Sequence, residues 1–450
     1  ACVFHYYINF IYPWTKNGYE IMDLHLEKGK GKREKGKVKI TGSKSETNRL
    51  LLLQALFPNL TLENTSNSDD SEVMQKALAF THHPSPITQT IDVHHAGTAM
   101  RFLTAFFAIQ EGKEVVLTGS SRMKERPIKI LVDALNQLGA EISYEENEGF
   151  PPIKIKGKKL TQSKVSLPAN VSSQYISALL LIAPKLENGL ELTLEGEITS
   201  IPYIKMTLAL LNEIGVTTSF VGNKISVKPQ FTIHNSQFTI ESDWSSASYW
   251  YSIVALSEIG FQVTLSSYKE NSLQGDSALV NIYQDFGVET TFNTDNSITI
   301  SKERIHNSQL TTHNSQLNNS PDIAQTIAVT CFGLGIGCNL FGLHTLKIKE
   351  TDRLEALKIE LTKLGAEISV TNDSLHLKPN DLFKSGNSHP LEGCPKGGVA
   401  TYQDHRMAMA FAPLALKVPV IINNAEVVSK SYPDFWNDLA LVGIIGSEVN

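Results

Sequence analysis

The chain contains little cysteine. Its four cysteines are Cys2, Cys331, Cys338 and Cys394, and none of them belongs to a Cys-x-x-Cys pair or stands beside a His-x-x-x-His pair. Metal-binding modules and disulfide-rich domains depend on such spacings. The sequence therefore predicts neither a metal site nor a disulfide framework, and we expect a reducing, cytoplasmic environment.

Long apolar runs are absent as well. The longest run near the start, VFHYYINFIYPW, is too short to span a bilayer and lacks the basic segment and cleavage site of a signal peptide. We therefore expect no association with a membrane. Because the first methionine is Met22, we interpret residues 1–21 as an extension and leave them out of the fold prediction.

Positive charge is not in excess. The net charge is −6, which argues against a nucleic-acid-binding protein. One local basic run, EKGKGKREKGKVKI at 27–40, is interpreted as a solvated loop before a strand, with an anion-attracting arm as the alternative. A chain of 450 residues exceeds what one hydrophobic core serves, so we expect at least two domains.

A repeat runs through the chain. The segment LGAEIS occurs at 138–143 and at 364–369, and five amphipathic stretches end at a glycine before a predicted strand. Glycine ends helices because it readily adopts the left-handed conformation. These glycines are spaced 72 to 78 residues apart, at Gly139, Gly215, Gly287, Gly365 and Gly443. A near-constant spacing indicates a repeat architecture.

A second series of helices lies between the members of the first. Its six stretches are apolar on most sides, which is typical of core helices, and they lie at 42–56, 96–109, 171–184, 242–256, 320–334 and 403–416. Short alternating strands separate the helices. The sequence thus predicts an α/β fold of six units, three in each of two domains, with one buried and one surface helix per unit.

Short polar tracts repeat the letters HNSQ. They occur at 233–237, 305–309 and 313–317. Because they are polar and repetitive, we interpret them as exposed insertions and not as a binding code.

The N-termini of the buried helices carry groups that bind anions. Gly42–Ser45, Ala96–Thr98 and Ser172–Ser173 offer free backbone N–H groups and hydroxyls at the positive end of a helix. Basic residues cluster at equivalent places: Lys44, Arg49, Arg101, Arg122, Arg126, Lys349, Arg353, Arg406 and Lys430. The joint pattern predicts a small polyanionic substrate, although each cation alone is also compatible with a solvated helix end.

Two carboxylates accompany these cations. Glu350 lies between Lys349 and Arg353, and Asp322 opens a buried helix. Either is a candidate acid or base, and either is also compatible with an ordinary helix cap. His94–His95 and Asp404–Arg406 do not predict a metal site, because adjacent histidines rarely point the same way and no further ligand follows at i+4.

Seven motifs of the chain resemble those of a known family. The motifs GSKSETNRLLL, AGTAMRFLTA, RMKERP, SSQYISALL, SDWSSASY, KETDRLEAL and DHRMAMAF occur in this order from residue 42 onward. They resemble the successive signatures of the 5-enolpyruvylshikimate-3-phosphate synthase family, the 3-phosphoshikimate 1-carboxyvinyltransferases. The resemblance implies an inside-out α/β barrel of two domains built from six βαβαββ-type units. It implies that domain 1 comprises residues 1–41 plus 242–450, that domain 2 comprises residues 42–241, and that the active site lies in the cleft between them.

The resemblance also implies a reaction. The enolpyruvyl group of phosphoenolpyruvate is transferred to the 5-hydroxyl of shikimate 3-phosphate, with release of phosphate, through a tetrahedral intermediate. Members act in the shikimate pathway of aromatic amino acid biosynthesis and use no cofactor and no metal. Sensitive members are targets of the herbicide glyphosate, which competes for the phosphoenolpyruvate pocket. We expect a cytoplasmic monomer whose partners are these two small molecules.

Site residues follow from the motifs by the same resemblance. The implied contacts with shikimate 3-phosphate are Lys44, Ser45, Arg49, Ser172, Ser173, Gln174, Ser200, Tyr203, Asp322 and Lys349. The implied contacts with phosphoenolpyruvate are Lys44, Gly97, Arg126, Gln174, Arg353, Arg406 and Lys430. The implied catalytic residues are Asp322, which acts on the 5-hydroxyl, Glu350, which exchanges the methylene proton, and Lys44.

Four positions depart from the family pattern, among them Ile201 and Thr345, which replace polar residues frequent in the family. His95 stands where the family commonly has asparagine, and Phe102 stands where it has proline. His95 puts one phosphoenolpyruvate contact in question, and Phe102 affects the helix that presents Gly97.

Two alternatives remain open. One is a UDP-N-acetylglucosamine enolpyruvyl transferase, which shares the fold but carries a reactive cysteine that residues 42–241 lack. The other is an inactive anion-binding relative.

Overall fold

The computed structural model describes residues 22–29, 36–79, 88–169, 172–196, 198, 201–233, 236–304, 310–383 and 398–449. The predicted extension 1–21, Ser200, the tract 305–309 and residues 30–35 of the basic run lie outside the described residues.

Helices occupy much of the described chain. In chain order they are α1 (Lys44–Leu56), α2 (Asp69–Ala79), α3 (Gly97–Ala108), α4 (Ser121–Lys124), α5 (Lys129–Gln137), α6 (Ser173–Ile182), α7 (Ile201–Glu213), α8 (Trp244–Leu256), α9 (Leu279–Ile282), α10 (Ala324–Leu334), α11 (Arg353–Lys363), α12 (His405–Phe411) and α13 (Phe435–Leu441). The six apolar stretches of the sequence form α1, α3, α6, α8, α10 and α12, which are buried over most of their length. Within the described residues, no helix combines the length and the apolar character needed to cross a membrane.

The predicted helix-ending glycines are confirmed. All five have a positive φ, from 70° at Gly287 to 99° at Gly139. A side chain with a Cβ adopts this conformation only with strain, so glycine at these points ends the surface helix and redirects the chain into a strand.

Strands form the other layer. In chain order they are β1 (Leu24–Lys28), β2 (Gly36–Val38), β3 (Leu60–Glu63), β4 (Gln89–Asp92), β5 (Glu114–Thr118), β6 (Glu141–Tyr144), β7 (Ile153–Lys156), β8 (Lys164–Pro168), β9 (Leu190–Glu195), β10 (Thr218–Val221), β11 (Lys224–Val227), β12 (Ser236–Thr239), β13 (Gln262–Leu265), β14 (Val288–Phe292), β15 (Ile298–Lys302), β16 (Thr312–Gln316), β17 (Gly337–Phe341), β18 (Ile368–Val370), β19 (Ser374–Leu377), β20 (Val420–Ile422) and β21 (Ile444–Glu448).

Four of the sheets repeat one pattern. Their strand orders are β4–β5–β7–β6, β8–β9–β11–β10, β2–β13–β15–β14 and β16–β17–β19–β18, and in each the first pair is parallel and the others are antiparallel. Two smaller sheets, β3–β12 and β20–β1–β21, complete the described set. Six sheets and six buried helices confirm the predicted α/β fold of repeated units, with the helices inside and the sheets outside.

The apolar core is divided in two. One cluster of buried hydrophobic residues lies within residues 50–240, and the other combines residues 24–40 with residues 244–444. The chain crosses between the clusters twice, and the crossing segments lie side by side, because Gly42 and Ser242 form an antiparallel bridge. We call these two parts the 42–241 half and the 242–449 half, and the second includes β1 and β2.

One sequence prediction is wrong. The tract 313–317 was expected to be an exposed insertion, but β16 pairs in parallel with β17 and the His313 side chain is 4% exposed. Its imidazole packs edge-on against Phe286 and shares a 2.9 Å hydrogen bond with Asp285. A histidine can occupy a buried strand position when one ring nitrogen has a partner, and a reading based on polarity alone misses it. The first tract contributes Ser236 and Gln237 to β12, where Gln237 is exposed, as predicted.

Candidate active site

The N-termini of the buried helices converge with the predicted site residues. Lys44 and Gly97 are the first residues of α1 and α3, and Ser173 is the first residue of α6. Asp322 lies in the 3₁₀ turn directly before α10, and Arg406 lies in the first turn of α12. Helix N-termini attract anions, so this convergence concentrates positive potential at one place.

Arg353 holds three carboxylates. Its Nη1 donates to Asp322 Oδ1 at 2.8 Å, its Nη2 donates to Glu350 Oε2 at 2.8 Å, and its Nε donates to Asp404 Oδ2 at 2.6 Å. The Arg353 side chain is only 2% exposed. Burial lowers the pKa of Arg353, but the three carboxylates raise it by more, so the guanidinium stays charged. The two predicted acid–base carboxylates are therefore fixed on one cation.

Asp322 is surrounded by cations. Besides Arg353, the Nζ of Lys349 lies 3.5 Å from its Oδ1 and the Nη2 of Arg406 lies 3.4 Å from its Oδ2. Burial raises the pKa of Asp322, but Arg406, Lys349 and Arg353 lower it by more, so it lies well below the ordinary range. Asp322 is thus an ionised carboxylate, which can accept a proton.

Glu350 is also ionised in this structure. Its side chain is 25% exposed. Burial raises its pKa, but Arg353, His405, Arg126 and Lys349 lower it by more, so it lies well below the ordinary value. Arg126 belongs to the 42–241 half, so its influence shows that Glu350 faces the other half of the molecule.

Two lysines from opposite halves act electrostatically on Asp70. Lys44 forms a 3.3 Å ion pair with Asp70. Burial raises the pKa of Asp70, and Lys44 offsets only part of that effect because Glu350 adds a further negative charge. Lys430 donates to the carbonyl oxygen of Gln403 at 2.7 Å. Burial lowers the pKa of Lys430, as does Lys44, against the opposing influence of Glu350 and Asp70.

Gly97 leaves room for a guanidinium. A Cβ added at Gly97 would lie 2.6 Å from Nη1 and 2.9 Å from Nη2 of Arg126, and 3.0 Å from Nη1 of Arg101. Arg101 is itself 4% exposed and donates to the Gly97 and Pro127 carbonyls. Arg126, in contrast, is half-buried. The absence of a side chain at Gly97 thus lets Arg126 approach the start of α3.

The unusual His95 belongs to this site. Burial, Lys430, His94 and Lys44 lower the pKa of His95 to about 3, so its imidazole is neutral. Its Nδ1 lies 2.5 Å from Nδ1 of His94, whose own backbone has a φ of 49°. The described residues include no group of three or more His, Cys, Asp and Glu side chains that could hold a metal ion.

The N-terminus of α6 forms another part of the site. Ser172 caps the helix and accepts a hydrogen bond from the backbone N–H of Gln174 at 3.4 Å, and Ser173 is 8% exposed. The Gln174 amide donates to Thr98 at 3.0 Å, which joins α6 to the start of α3. Tyr203 is half-buried, and burial together with the Asp322 charge raises its pKa well above the ordinary value. Tyr203 therefore approaches Asp322 from the opposite half.

Arg49 lies beneath the site surface. It is 2% exposed, and its nitrogens donate to Thr207 and Ser177 and to the carbonyl oxygens of Ser45 and Tyr203. These bonds use four of its five N–H groups. Among the described residues the fifth, on Nη1, has no partner and is available to a ligand. The ring of Phe102 covers the guanidinium at 5.4 Å, so this unusual residue packs on Arg49.

Direct hydrogen bonds join the two halves beside the site. Ser429 Oγ donates to Asp69 Oδ2 at 2.6 Å, and Asn67 Nδ2 donates to Asp434 Oδ2 at 2.8 Å. Gln274 Nε2 donates to Glu46 Oε1 at 3.0 Å. The structure thus shows the halves in contact, with the cations and carboxylates gathered between them.

Sequence reasoning missed two members of this cluster. Asp404 is fully buried against Arg353, and Asp70 pairs with Lys44. The acidic start of α2 and the aspartate of the DHRMAMAF motif were available signals, but both are also common as helix caps. Arg122, which sequence reasoning grouped with the site cations, is 56% exposed and pairs with Glu125.

Comparisons with known proteins show the family of the chain. The family model for EPSP synthase (3-phosphoshikimate 1-carboxyvinyltransferase) matches residues 57–439. A 3-phosphoshikimate 1-carboxyvinyltransferase of Bacteroides fragilis (strain YCH46) is 46% identical over 412 residues, which cover 91% of this chain and 95% of that protein. One of Haemophilus influenzae is 36% identical over 432 residues, with 90% and 95% covered.

The fold is shared with solved structures. An EPSP synthase of Acinetobacter baumannii superposes with a TM-score of 0.75 at 21% identity, covering 95% of this chain and 100% of that one. At this identity the likeness concerns the fold, which is the two-domain architecture described above. Together with the family match and the relatives, it leads to one conclusion: the chain belongs to the EPSP synthase family.

Proposed function

We propose that the protein transfers the enolpyruvyl group of phosphoenolpyruvate to the 5-hydroxyl of shikimate 3-phosphate. The products are 5-enolpyruvylshikimate 3-phosphate and inorganic phosphate. The observation that carries the proposal is the Arg353 cluster, which fixes Asp322 and Glu350 on one guanidinium, each with a 2.8 Å hydrogen bond. Such a pair can handle two different protons of one reaction.

The reaction takes place between two domains, of which domain 1 comprises residues 1–41 plus 242–450 and domain 2 residues 42–241. The two separate hydrophobic clusters and the Gly42–Ser242 bridge support these boundaries. Site residues come from both sides, so the substrates bind in the cleft and the catalytic groups are complete only when the domains approach.

Phosphoenolpyruvate binds among the cations. Its carboxylate and phosphate are matched by seven residues from both domains: Lys44, Gly97, Arg126, Gln174, Arg353, Arg406 and Lys430. Arg353 and Arg406 already contact carboxylates, and Arg126 lies free of such an ion pair among the described contacts. A guanidinium suits a carboxylate or phosphate because its N–H groups form a planar fork.

Shikimate 3-phosphate binds mainly to domain 2. The N-terminus of α6, with Ser172, Ser173 and Gln174, holds the phosphate, since helix N-termini bind such groups. Further contacts are Lys44, Ser45, Arg49, Ser200, Tyr203, Asp322 and Lys349. The approach of Tyr203 to Asp322 supports a placement that brings the 5-hydroxyl to the carboxylate.

Asp322 accepts the proton of the 5-hydroxyl. Its low pKa keeps it ionised, and the cations around it stabilise that charge. The substrate oxygen then attacks C2 of phosphoenolpyruvate, and the C2–C3 double bond becomes a single bond as C3 takes up a proton. The result is a tetrahedral intermediate in which C2 still carries the phosphate.

Glu350 exchanges the proton at C3. It is a carboxylate in the ligand-free structure, whereas donation requires the acid. Binding of a polyanion to Arg353, Arg126 and Lys349 offsets the positive charges that lower its pKa, so bound substrate favours protonation. In the second step Glu350 takes a proton back from C3 as phosphate leaves, and Lys44 stabilises the charge on the departing group.

A phosphate-release assay with both substrates tests the proposal. We expect release only when both are present, with the product identified by mass spectrometry, and no release when UDP-N-acetylglucosamine replaces shikimate 3-phosphate. Asp322→Asn should abolish most turnover, and Asp373→Asn, an aspartate that is 59% exposed, is the matched control. Binding of both ligands without phosphate release would favour an inactive relative. The same preparation shows whether the protein is a monomer, as we propose for this cytoplasmic enzyme.

A further inference from the structure

Asp276 is a buried carboxylate that the proposed reaction does not use. It lies in the 3₁₀ turn Gly275–Ala278 before α9 and is 4% exposed. Its Oδ2 accepts a short hydrogen bond from the hydroxyl of Ser245 in the first turn of α8. Its Oδ1 is buried and has no hydrogen-bond partner among the described residues.

Ser245 connects Asp276 to a predicted substrate ligand. The Nη2 of Arg406 donates to Ser245 Oγ at 3.3 Å, and the same nitrogen lies 3.4 Å from Asp322 Oδ2. A serine hydroxyl has one hydrogen, and because that hydrogen points to Asp276, the oxygen lone pairs face Arg406. The order of contacts is therefore Asp276, Ser245, Arg406 and Asp322, with one guanidinium between two carboxylates.

The two carboxylates have unequal surroundings. Asp322 also contacts Arg353 and Lys349, whereas Arg406 is the cation that acts on Asp276. Burial raises the pKa of Asp276 to about 6, and the Asp322 charge adds to this effect, while Arg406 and the Ser245 hydrogen bond oppose it. Of two carboxylates near one cation, the one with fewer cations around it is the more easily protonated.

The other groups that face Asp276 come from α8 and α7. Asp243, the N-cap of α8, adds a further negative charge that favours the protonated form. Tyr203 approaches from the opposite half, and burial together with Asp322 and Asp276 keeps its hydroxyl protonated. Both neighbours are thus compatible with a proton on Asp276, whose Oδ2 accepts from Ser245 and whose Oδ1 has no hydrogen-bond partner among the described residues.

We propose that Asp276 is a positioning residue for the phosphoenolpyruvate side of the site, in that it orients Arg406 through Ser245. The inference rests on the proposed function. An uncharged Asp276 leaves the Arg406 charge to Asp322 and to an incoming anion. Once ionised, Asp276 competes for that charge and weakens the binding of an anionic substrate.

The sign of the pH dependence follows from linkage. An anion bound at Arg406 raises the pKa of Asp276, so binding is tighter below about pH 6, where Asp276 is already protonated, and becomes weaker as the pH rises through that value. If binding raises the pKa of Asp276 by about one, the affinity changes by about tenfold across this pH range. The substrates titrate as well, so the informative quantity is the ratio between variant and parent at each pH.

The first test measures KM for phosphoenolpyruvate from pH 5 to pH 8.5 in the parent, in Asp276→Asn and in Glu258→Gln. Glu258 is 90% exposed, which makes it a matched carboxylate-to-amide control. The ratio of parent KM to Asp276→Asn KM should rise by up to about tenfold with a midpoint near pH 6, and the Glu258→Gln ratio should stay flat. A flat ratio for Asp276→Asn would overturn the proposal.

A second measurement does not depend on turnover. The carboxyl resonances of ¹³C-labelled aspartates should include one with a midpoint near pH 6 that is missing in Asp276→Asn. In Ser245→Ala that midpoint should rise, because the charged form loses a hydrogen bond, so this variant assigns the resonance even if Asp276→Asn does not fold. A midpoint near the ordinary value of about 4 would overturn the proposal. Absence of phosphate release with the titration near pH 6 intact would contradict the proposed reaction alone and support the proton on Asp276.

Discussion

Replacing Gly97 by alanine tests the geometry of the phosphoenolpyruvate pocket most directly. The new Cβ would lie 2.6 Å from Nη1 of Arg126, whereas ordinary contact begins at 3.4 Å. The guanidinium must therefore move by about 0.8 Å, the difference between these distances. It can do so, because it is the end of a flexible side chain and Arg126 is half-buried.

The expected effect concerns the substrate and not the fold. A misplacement of about 1 Å in a positioning group can reduce a rate by about 100-fold, so we expect kcat/KM for phosphoenolpyruvate to fall between about 10-fold and about 100-fold. KM for shikimate 3-phosphate should change by less than about twofold, since its proposed contacts at α6 do not move. Gly97 is buried, but the atoms nearest to the new Cβ are the ends of the Arg126 and Arg101 side chains, so we expect thermal stability to fall by less than about 2 kcal/mol.

Steady-state kinetics of phosphate release provide the assay. Gly36→Ala is the matched control, because a Cβ there meets its nearest atom at 3.6 Å, an ordinary contact. Inhibition by glyphosate should weaken in Gly97→Ala if the inhibitor occupies the same pocket. If kcat/KM for phosphoenolpyruvate equals that of the parent, Arg126 does not hold this substrate and the reasoning is refuted.

Three further predictions concern charge. Glu350→Gln should lower kcat by at least about 100-fold with little change in substrate affinity, as is usual for loss of a general acid or base, and unchanged turnover would remove Glu350 from the mechanism. Asp404→Ala should lower the free energy of unfolding by about 3 kcal/mol in urea, because Arg353 loses a buried partner. An unchanged unfolding midpoint would show that Asp322 and Glu350 alone stabilise the buried Arg353 charge. Burial, then Glu241, raises the pKa of Glu46 from 4.5 to about 7, so the folded state holds a proton that the unfolded state releases between these values. Stability of the parent should therefore fall by about 3 kcal/mol relative to Glu46→Gln as the pH rises from 4.5 to 7, and parallel stability curves would contradict this.

Local features of the sequence predicted local features of the structure. The glycines that end the surface helices, such as Gly139 and Gly365, were identified from their spacing because left-handed backbone conformation is a property of a single residue. The buried helices were identified because a helix with apolar residues on all sides has no solvent-exposed face. His313 was misjudged because its burial depends on Asp285 and Phe286, which pack against it from another segment.

The arrangement of the site could be predicted only in part. The motifs named most of the residues, but not the contacts among them. Arg353 receives its carboxylates from three separate segments, and their proximity depends on how α10, α11 and α12 pack. The neutral state of His95 likewise depends on burial and then on Lys430, a residue of the other half, both of which lower its pKa. Such long-range charge effects have no signature in the order of residues along one chain.

The pairing of β1 has a consequence for the order of folding during synthesis. In β1, Leu26 pairs with Val420 of β20 and with Gly446 of β21, so its sheet cannot form until almost the whole chain has left the ribosome. The 42–241 half, in contrast, has its core within one continuous segment. Domains generally fold as units while the chain is made, and contacts between distant residues form slowly. The half that contains the earliest described strand is therefore the last to be completed, and until then β1 remains without its partners.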